Sequence, residues 1–177
     1  AEQLIAQGES GSEVWAVPAI GYRFVSWSDG VRTARRLDTD VMEPLSVTAN
    51  FAIKSYTLNY LASEHGSIKG QVEQKVAYGS DAASVEAFAE PNYRFVRWSD
   101  GVTTARRKDT KLVTALQVRA EFELETYVIG GTLQGLINGT KLQLRNNAED
   151  MLSVTQNGAF RFTTEVLNGS RYEVEVQ

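Results

Sequence analysis

The sequence predicts an all-β, mainly antiparallel fold, in which two tandem copies of one small module precede a third, different β module. Three observations lead there. A long stretch recurs at a fixed offset, apolar and polar residues alternate with period two inside each copy, and Asn-Gly dipeptides punctuate the last fifty residues. The offset follows from Tyr22-Arg-Phe-Val-Ser-Trp-Ser-Asp-Gly-Val31 and its echo Tyr93-Arg-Phe-Val-Arg-Trp-Ser-Asp-Gly-Val102, and 93 − 22 = 71. It holds without a gap from Glu2/Glu73 through Phe51/Phe122 to Tyr56/Tyr127. A period of that length is a small domain rather than one turn of a solenoid.

The two copies report on burial by comparison with each other. Leu45, Val47, Ala49 and Phe51 alternate with Ser46, Thr48 and Asn50, and their counterparts are Leu116, Val118, Ala120 and Phe122 among Gln117, Arg119 and Glu121. Every apolar residue is kept and every polar one is changed. That pattern predicts a strand with one face on a core. Tyr56, Leu58 and Tyr60 alternate likewise, and Gly66–Gly70 reads as a turn and a short returning strand. Ser12–Val17 and Ser84–Phe88 are further strands, with a short helix in Ser80–Glu90 as the alternative for the second. Asp29-Gly30 and Asp100-Gly101 are turn dipeptides behind the aromatic strand. Within that strand Trp27 lies three residues after Phe24, so simple alternation would turn it to the other face. A bulge after Val25 that re-aims the indole is the favoured reading.

From about Glu125 the repeat gives way to short alternating runs at Lys141–Leu144, Met151–Thr155, Ala159–Thr164 and Tyr172–Val176. Asn138, Asn157 and Asn168, each followed by Gly, separate them as hairpin turns, and strands so spaced predict a β-sandwich. The domains are therefore 1–54, 55–125 and 126–177.

Composition narrows the function. There is no cysteine, hence no disulfide and no thiolate chemistry. Residues 1–54 carry five Lys/Arg against seven Asp/Glu, 55–125 nine against ten, and 126–177 four against five. No module is basic overall, which argues against a nucleic-acid partner. No apolar run approaches the roughly 20 residues that span a bilayer, so membrane insertion is not expected. Ala1–Gly8 lacks the features of a signal peptide, and the strand-like last residues suggest a piece excised from a longer chain.

The motif Gly21-Tyr-Arg-Phe-Val-Ser-Trp-Ser-Asp-Gly30 with its closing Leu45–Phe51 strand, and Tyr93–Gly101 with Leu116–Phe122, resembles the divergent internalin B-type repeat. The resemblance covers roughly residues 1–123; Asn92 replaces the leading glycine, and Asn also tolerates left-handed backbone. It implies small β-grasp-like modules of bacterial secreted or cell-surface proteins, strung in tandem to space or display other domains, with no catalytic residues. Gly131-Thr-Leu-Gln-Gly135, Asn157–Phe162 and Gly169–Val176 are similar to the collagen-adhesin B-type and carboxypeptidase-regulatory-like sandwich. Some relatives of that group form a Lys–Asn crosslink. No Lys lies in Tyr127–Gly135 and no Asn in Tyr172–Gln177, so none is expected here.

Candidate chemistry is sparse. His65, the one histidine, sits in a turn without an orienting partner, so a solvated role is expected over a catalytic one. Asp38-Thr-Asp40 suggests a calcium loop until the second copy is read, where Asp109-Thr-Lys111 places a cation at a ligand position. Bonding of Asp38 and Asp109 to nearby backbone is expected instead. Neither a catalytic residue nor a metal or cofactor is expected. Trp27 and Trp98 are assigned to the core. Trp15 faces outward, because its counterpart is Glu86, and is the first candidate contact residue. Arg35, Arg36, Arg106 and Arg107 are the others, a basic stripe that either meets anionic polysaccharide or an acidic surface, or forms local ion pairs on a solvated face. Asn138 and Asn168 fit a glycosylation pattern, but the turns already explain them.

The expected function is a non-catalytic structural and adhesive repeat region acting outside a bacterial cell, its partner a host protein or polysaccharide. The alternative is a carbohydrate-binding accessory region of a secreted polysaccharide-degrading enzyme. Finally, counterparts of the hairpin 56–70 are missing ahead of the first copy. Either Tyr56–Gly70 completes that copy as a permuted unit, or another chain supplies the strands through self-association.

Overall fold

The computed structural model describes residues 2–147 and 150–177. Among them there is no helix, and the chain forms sixteen strands. They are β1 (Val14–Trp15), β2 (Tyr22–Trp27), β3 (Arg35–Arg36), β4 (Ala49–Ile53), β5 (Ser55–Ala62), β6 (Gly66–Lys69), β7 (Glu73–Ala77) and β8 (Val85–Ala89). There follow β9 (Tyr93–Trp98), β10 (Arg106–Arg107), β11 (Leu116–Leu124), β12 (Thr126–Leu133), β13 (Leu142–Asn146), β14 (Asp150–Val154), β15 (Gly158–Leu167) and β16 (Val174–Val176). The protein is all-β and mainly antiparallel. It falls into two compact units, one of Ala1–Leu61, Lys69–Glu86 and Arg106–Val118, the other of Ala62–Ile68, Ala87–Ala105 and Arg119–Gln177.

In the first unit β2 pairs with β4, Phe24 opposite Phe51 and Trp27 opposite Ala49. The register slips between Phe24 and Ser26, so Val25 is the bulged residue, and Trp27 is turned inward and buried. Alternation alone would have sent that indole into water; one unpaired residue reverses it. Its Nε1–H donates to the Thr33 carbonyl at 3.0 Å, which satisfies the polar atom of a buried ring. β1 pairs with β3, setting Trp15 opposite Arg35 and Val14 opposite Arg36. β5 pairs with β7, and Leu58 and Tyr60 on its inward face are among the most buried side chains.

In the second unit the same motif recurs. Phe95 lies opposite Phe122 and Trp98 opposite Ala120, with the slip now at Val96. The Trp98 indole is fully buried and donates to the Thr104 carbonyl at 3.1 Å. Ring spacings agree as well: Phe24 is 5.9 Å from both Trp27 and Phe51, and Phe95 is 6.0 and 5.9 Å from Trp98 and Phe122. Gly21 and Asn92 both have positive φ, 81° and 73°, so the substitution preserves the turn. In the last module β12 pairs with β15, while β13 lies between β14 and β16, around buried Leu144 and Phe162. All three Asn-Gly glycines have positive φ.

The strand expected at Ser84–Phe88 is present as β8, and the alternative helix in Ser80–Glu90 is not formed. Some expectations need correction. Ser12–Val17 contracts to two strand residues. Leu45–Thr48 is not a strand, although its counterpart Leu116–Arg119 is the first half of β11. The reason is the neighbour. β11 lies between β5 and β9 in the order β7-β5-β11-β9, whereas β4 has only β2 beside it among the described residues. A strand is defined by its ladder, and the bonds of Thr48 to Ser28 alone do not continue one through Leu45. The hairpin of β5 and β6 pairs with strands of the second copy, β5 with β7 and β11 and β6 with β8.

Candidate functional site

Period two decides the fate of the paired arginines. On β3, Arg35 points out and is exposed while Arg36 points in and is 7% exposed; on β10, Arg106 and Arg107 repeat this, again with 7% for the inner one. The inner guanidinium is clamped bidentately. Arg36 donates through Nε and Nη2 to Asp38 at 2.8 and 2.6 Å and through Nη1 to Asp29 at 2.7 Å. It also lies 5.5 Å from the Trp27 ring centroid. Arg107 holds Asp109 in the same fork at 2.8 and 2.7 Å. The hydrogen bonds from Arg36 hold the Asp29 carboxyl below the usual carboxylate range, while those from Asp38 and Asp29 push Arg36 up. Arg36 and Arg107 are consequently core struts and not contact residues. Asp38 and Asp109 bond these arginines rather than backbone donors, the partner that sequence reasoning missed. The i, i+2 spacing Arg-x-Asp in both copies, which puts both side chains on one face of an extended chain, carried that signal.

Position 40, the would-be calcium ligand, and its counterpart Lys111 are both left-handed, at φ 52° and 50°. The turn keeps its left-handed residue in both copies while the side chain changes from Asp to Lys. Among the described residues no group of three His, Cys, Asp or Glu is placed to hold a metal. His65 stacks on Tyr93 with ring centroids 4.0 Å apart, and its Nδ1 lies 3.5 Å from Glu90, so it fastens a turn to β9.

Among the described residues the surface carries an exposed aromatic–cation pair. Trp15 is 63% exposed, and the Arg35 guanidinium sits over its ring at 5.8 Å while pairing with Glu13. In the second copy the equivalent place holds Glu86 opposite Arg106. Other outward positions change in step across the strands. Arg97 pairs with Glu121 at 2.8 Å and Arg94 with Glu123 at 3.2 Å, where the first copy has Ser26 opposite Asn50 and Arg23 opposite Ala52.

A family model, the divergent InlB B-repeat domain, matches residues 2–55 and again 56–126. The chain belongs to the divergent InlB B-repeat family. Repeats of this family occur in bacterial surface or secreted proteins and are typically non-catalytic. No curated protein and no solved structure matches the chain. The two InlB B-repeats here share one interior and carry two different surfaces.

Proposed function

We propose that this chain is a non-catalytic spacer and display region of a bacterial secreted or cell-surface protein, working outside the cell, with an adhesive face on its first repeat. One observation carries this reading. Between the two repeats the arginine fork, the aromatic trio and the indole hydrogen bond are duplicated atom for atom, while exposed cross-strand pairs differ. A scaffold copied for its stability, with its surface left to vary, suits display and suits no shared reaction centre. Residues 126–177 extend the array as a collagen-adhesin B-type or carboxypeptidase-regulatory-like sandwich, supported by the two small sheets β12-β15 and β14-β13-β16.

The contact face is Trp15 with Arg35, which offers a flat apolar ring beside a cation to an anionic polysaccharide or an acidic protein surface. Burial of Trp27 and Trp98 supports this reading over a carbohydrate-binding accessory region, which needs a platform of exposed aromatics. The test is titration with a sulfated polysaccharide and a neutral glucan at two salt concentrations. Binding of the sulfated chain that weakens with salt and is lost in Trp15→Ala and Arg35→Ala supports the adhesive face. Indifference to both substitutions would remove it, and turnover of either glycan would end the non-catalytic reading.

A further inference from the structure

In the second repeat β5 is a central strand, between β7 and β11. The 71-residue offset maps β7 onto residues 2–6 and β11 onto residues 45–53. Both banks of the corresponding channel in the first repeat are built. Gln3 clamps Ser12, donating to its carbonyl at 2.9 Å and accepting from its N–H at 2.6 Å, as Gln74 clamps Ala83 at 3.0 and 2.8 Å. Gly8 and Val41 exchange backbone bonds with their neighbours as Gly79 and Leu112 do. Between the banks the described residues place no strand, and residues 2–6 have no ladder.

The lining of that channel is apolar and wet. Leu45, Phe51 and Ile53 are 53%, 40% and 46% exposed where their counterparts Leu116, Phe122 and Leu124 are half-buried, and Val47 and Ala49 are half-buried where Val118 and Ala120 are buried. Three landing points are specific. Tyr60 donates its hydroxyl to Asp109 Oδ2 at 2.7 Å, and the counterpart oxygen belongs to Asp38. Gly66 lies so close to the Phe122 ring that a Cβ would stand 2.3 Å from it, and the counterpart ring is Phe51. His65 stacks on Tyr93, whose counterpart Tyr22 is 44% exposed.

We infer that the channel between residues 2–6 and 45–53 receives a β-hairpin from another repeat of this type, one whose first strand carries Tyr, Leu and Tyr at alternate positions. The recognition is strand addition: main-chain bonds to both banks supply affinity, and the alternating side chains supply register. The second Tyr bonds Asp38, the turn residue stacks on Tyr22, and the turn glycine seats on Phe51. The second repeat supplies the reason for choosing this occupant, because an equivalent channel is filled there by just such a hairpin.

The experiment places a copy of Ser55–Gln71 directly ahead of Ala1, since 71 − 71 = 0 reproduces the spacing of the second repeat. Amide hydrogen exchange at residues 3–6 and 45–53 is then compared with the unaltered protein. The expected result is at least about tenfold slower exchange at both banks, as for backbone newly held in a sheet. Leu58→Glu made in the added copy alone should abolish the slowing and leave the second repeat intact. A free peptide Ser55–Gly70, titrated into the unaltered protein, gives a second readout through saturable shifts at Tyr22 and Phe51. Slowed exchange in the fusion or saturable shifts with the peptide supports the inference. Neither effect overturns it, as does concentration-dependent dimerisation of the unaltered protein that protects the same amides, which would assign the channel to a second copy's edge.

Discussion

Two adjacent arginines of identical chemistry have opposite roles, because a strand turns successive side chains to opposite faces. Arg107 is withdrawn, with Asp109 the partner of its fork, and Tyr60 shares the same carboxylate. Arg107→Met should therefore cost about 3–5 kcal/mol, since it strands Asp109 without its cation, while Arg106→Ala should stay within about 0.5 kcal/mol. Urea denaturation of the two variants checks the contrast. Tyr60 adds a pH dependence. Burial, then the hydrogen bond to Asp109, raises its folded pKa above the unfolded value of 10.0. The unfolded chain loses this proton first, so the stabilisation is complete below about pH 10 and falls as pH rises beyond it. Tyr60→Phe should flatten that alkaline limb relative to wild type in denaturant titrations at pH 9 to 11.

Elements here depend on their neighbours more than on their residues. Leu45–Phe51 and Leu116–Phe122 share the alternation Leu-x-Val-x-Ala-x-Phe, yet only the copy beside β5 is a strand from the leucine onward. The hairpin that makes the difference is fitted at its turn. Gly66 has no room for a side chain against Phe122, so Gly66→Ala should destabilise the second repeat by about 1–3 kcal/mol. Thermal unfolding followed by indole fluorescence reads this, with Trp98 as the buried reporter. An unchanged midpoint would mean that the hairpin gives way at no cost.

Across the whole chain, one interior built twice yields unequal stability. Leu58, Tyr60, Val76, Val85 and Val118 are buried around the second copy, while the first copy keeps Val14, Val47 and Ile5 half-open. Burial of apolar surface is the main favourable term in folding, about 25 cal/mol per Å². Amides of residues 14–53 should accordingly lose protection at lower denaturant than those of residues 85–124. Native-state hydrogen exchange measures this order; simultaneous loss would contradict it.

Much of this was legible because repetition does the work of a mutation series. Comparing the copies exposed the core strand of the second copy and the outward Trp15. The bulge at Val25 followed from a spacing of three where strands count in twos. Tertiary structure decided the rest. Which of two neighbouring arginines is buried depends on how β1 meets β3 and β8 meets β10, and Arg36 and Arg107 were accordingly misplaced on the surface. The fate of Leu45–Thr48 depends on a strand far away in the chain. Alternation records which face of a segment suits a core, a property local to each residue. Whether a ladder forms beside it is a property of pairs, and only the folded arrangement brings those pairs together.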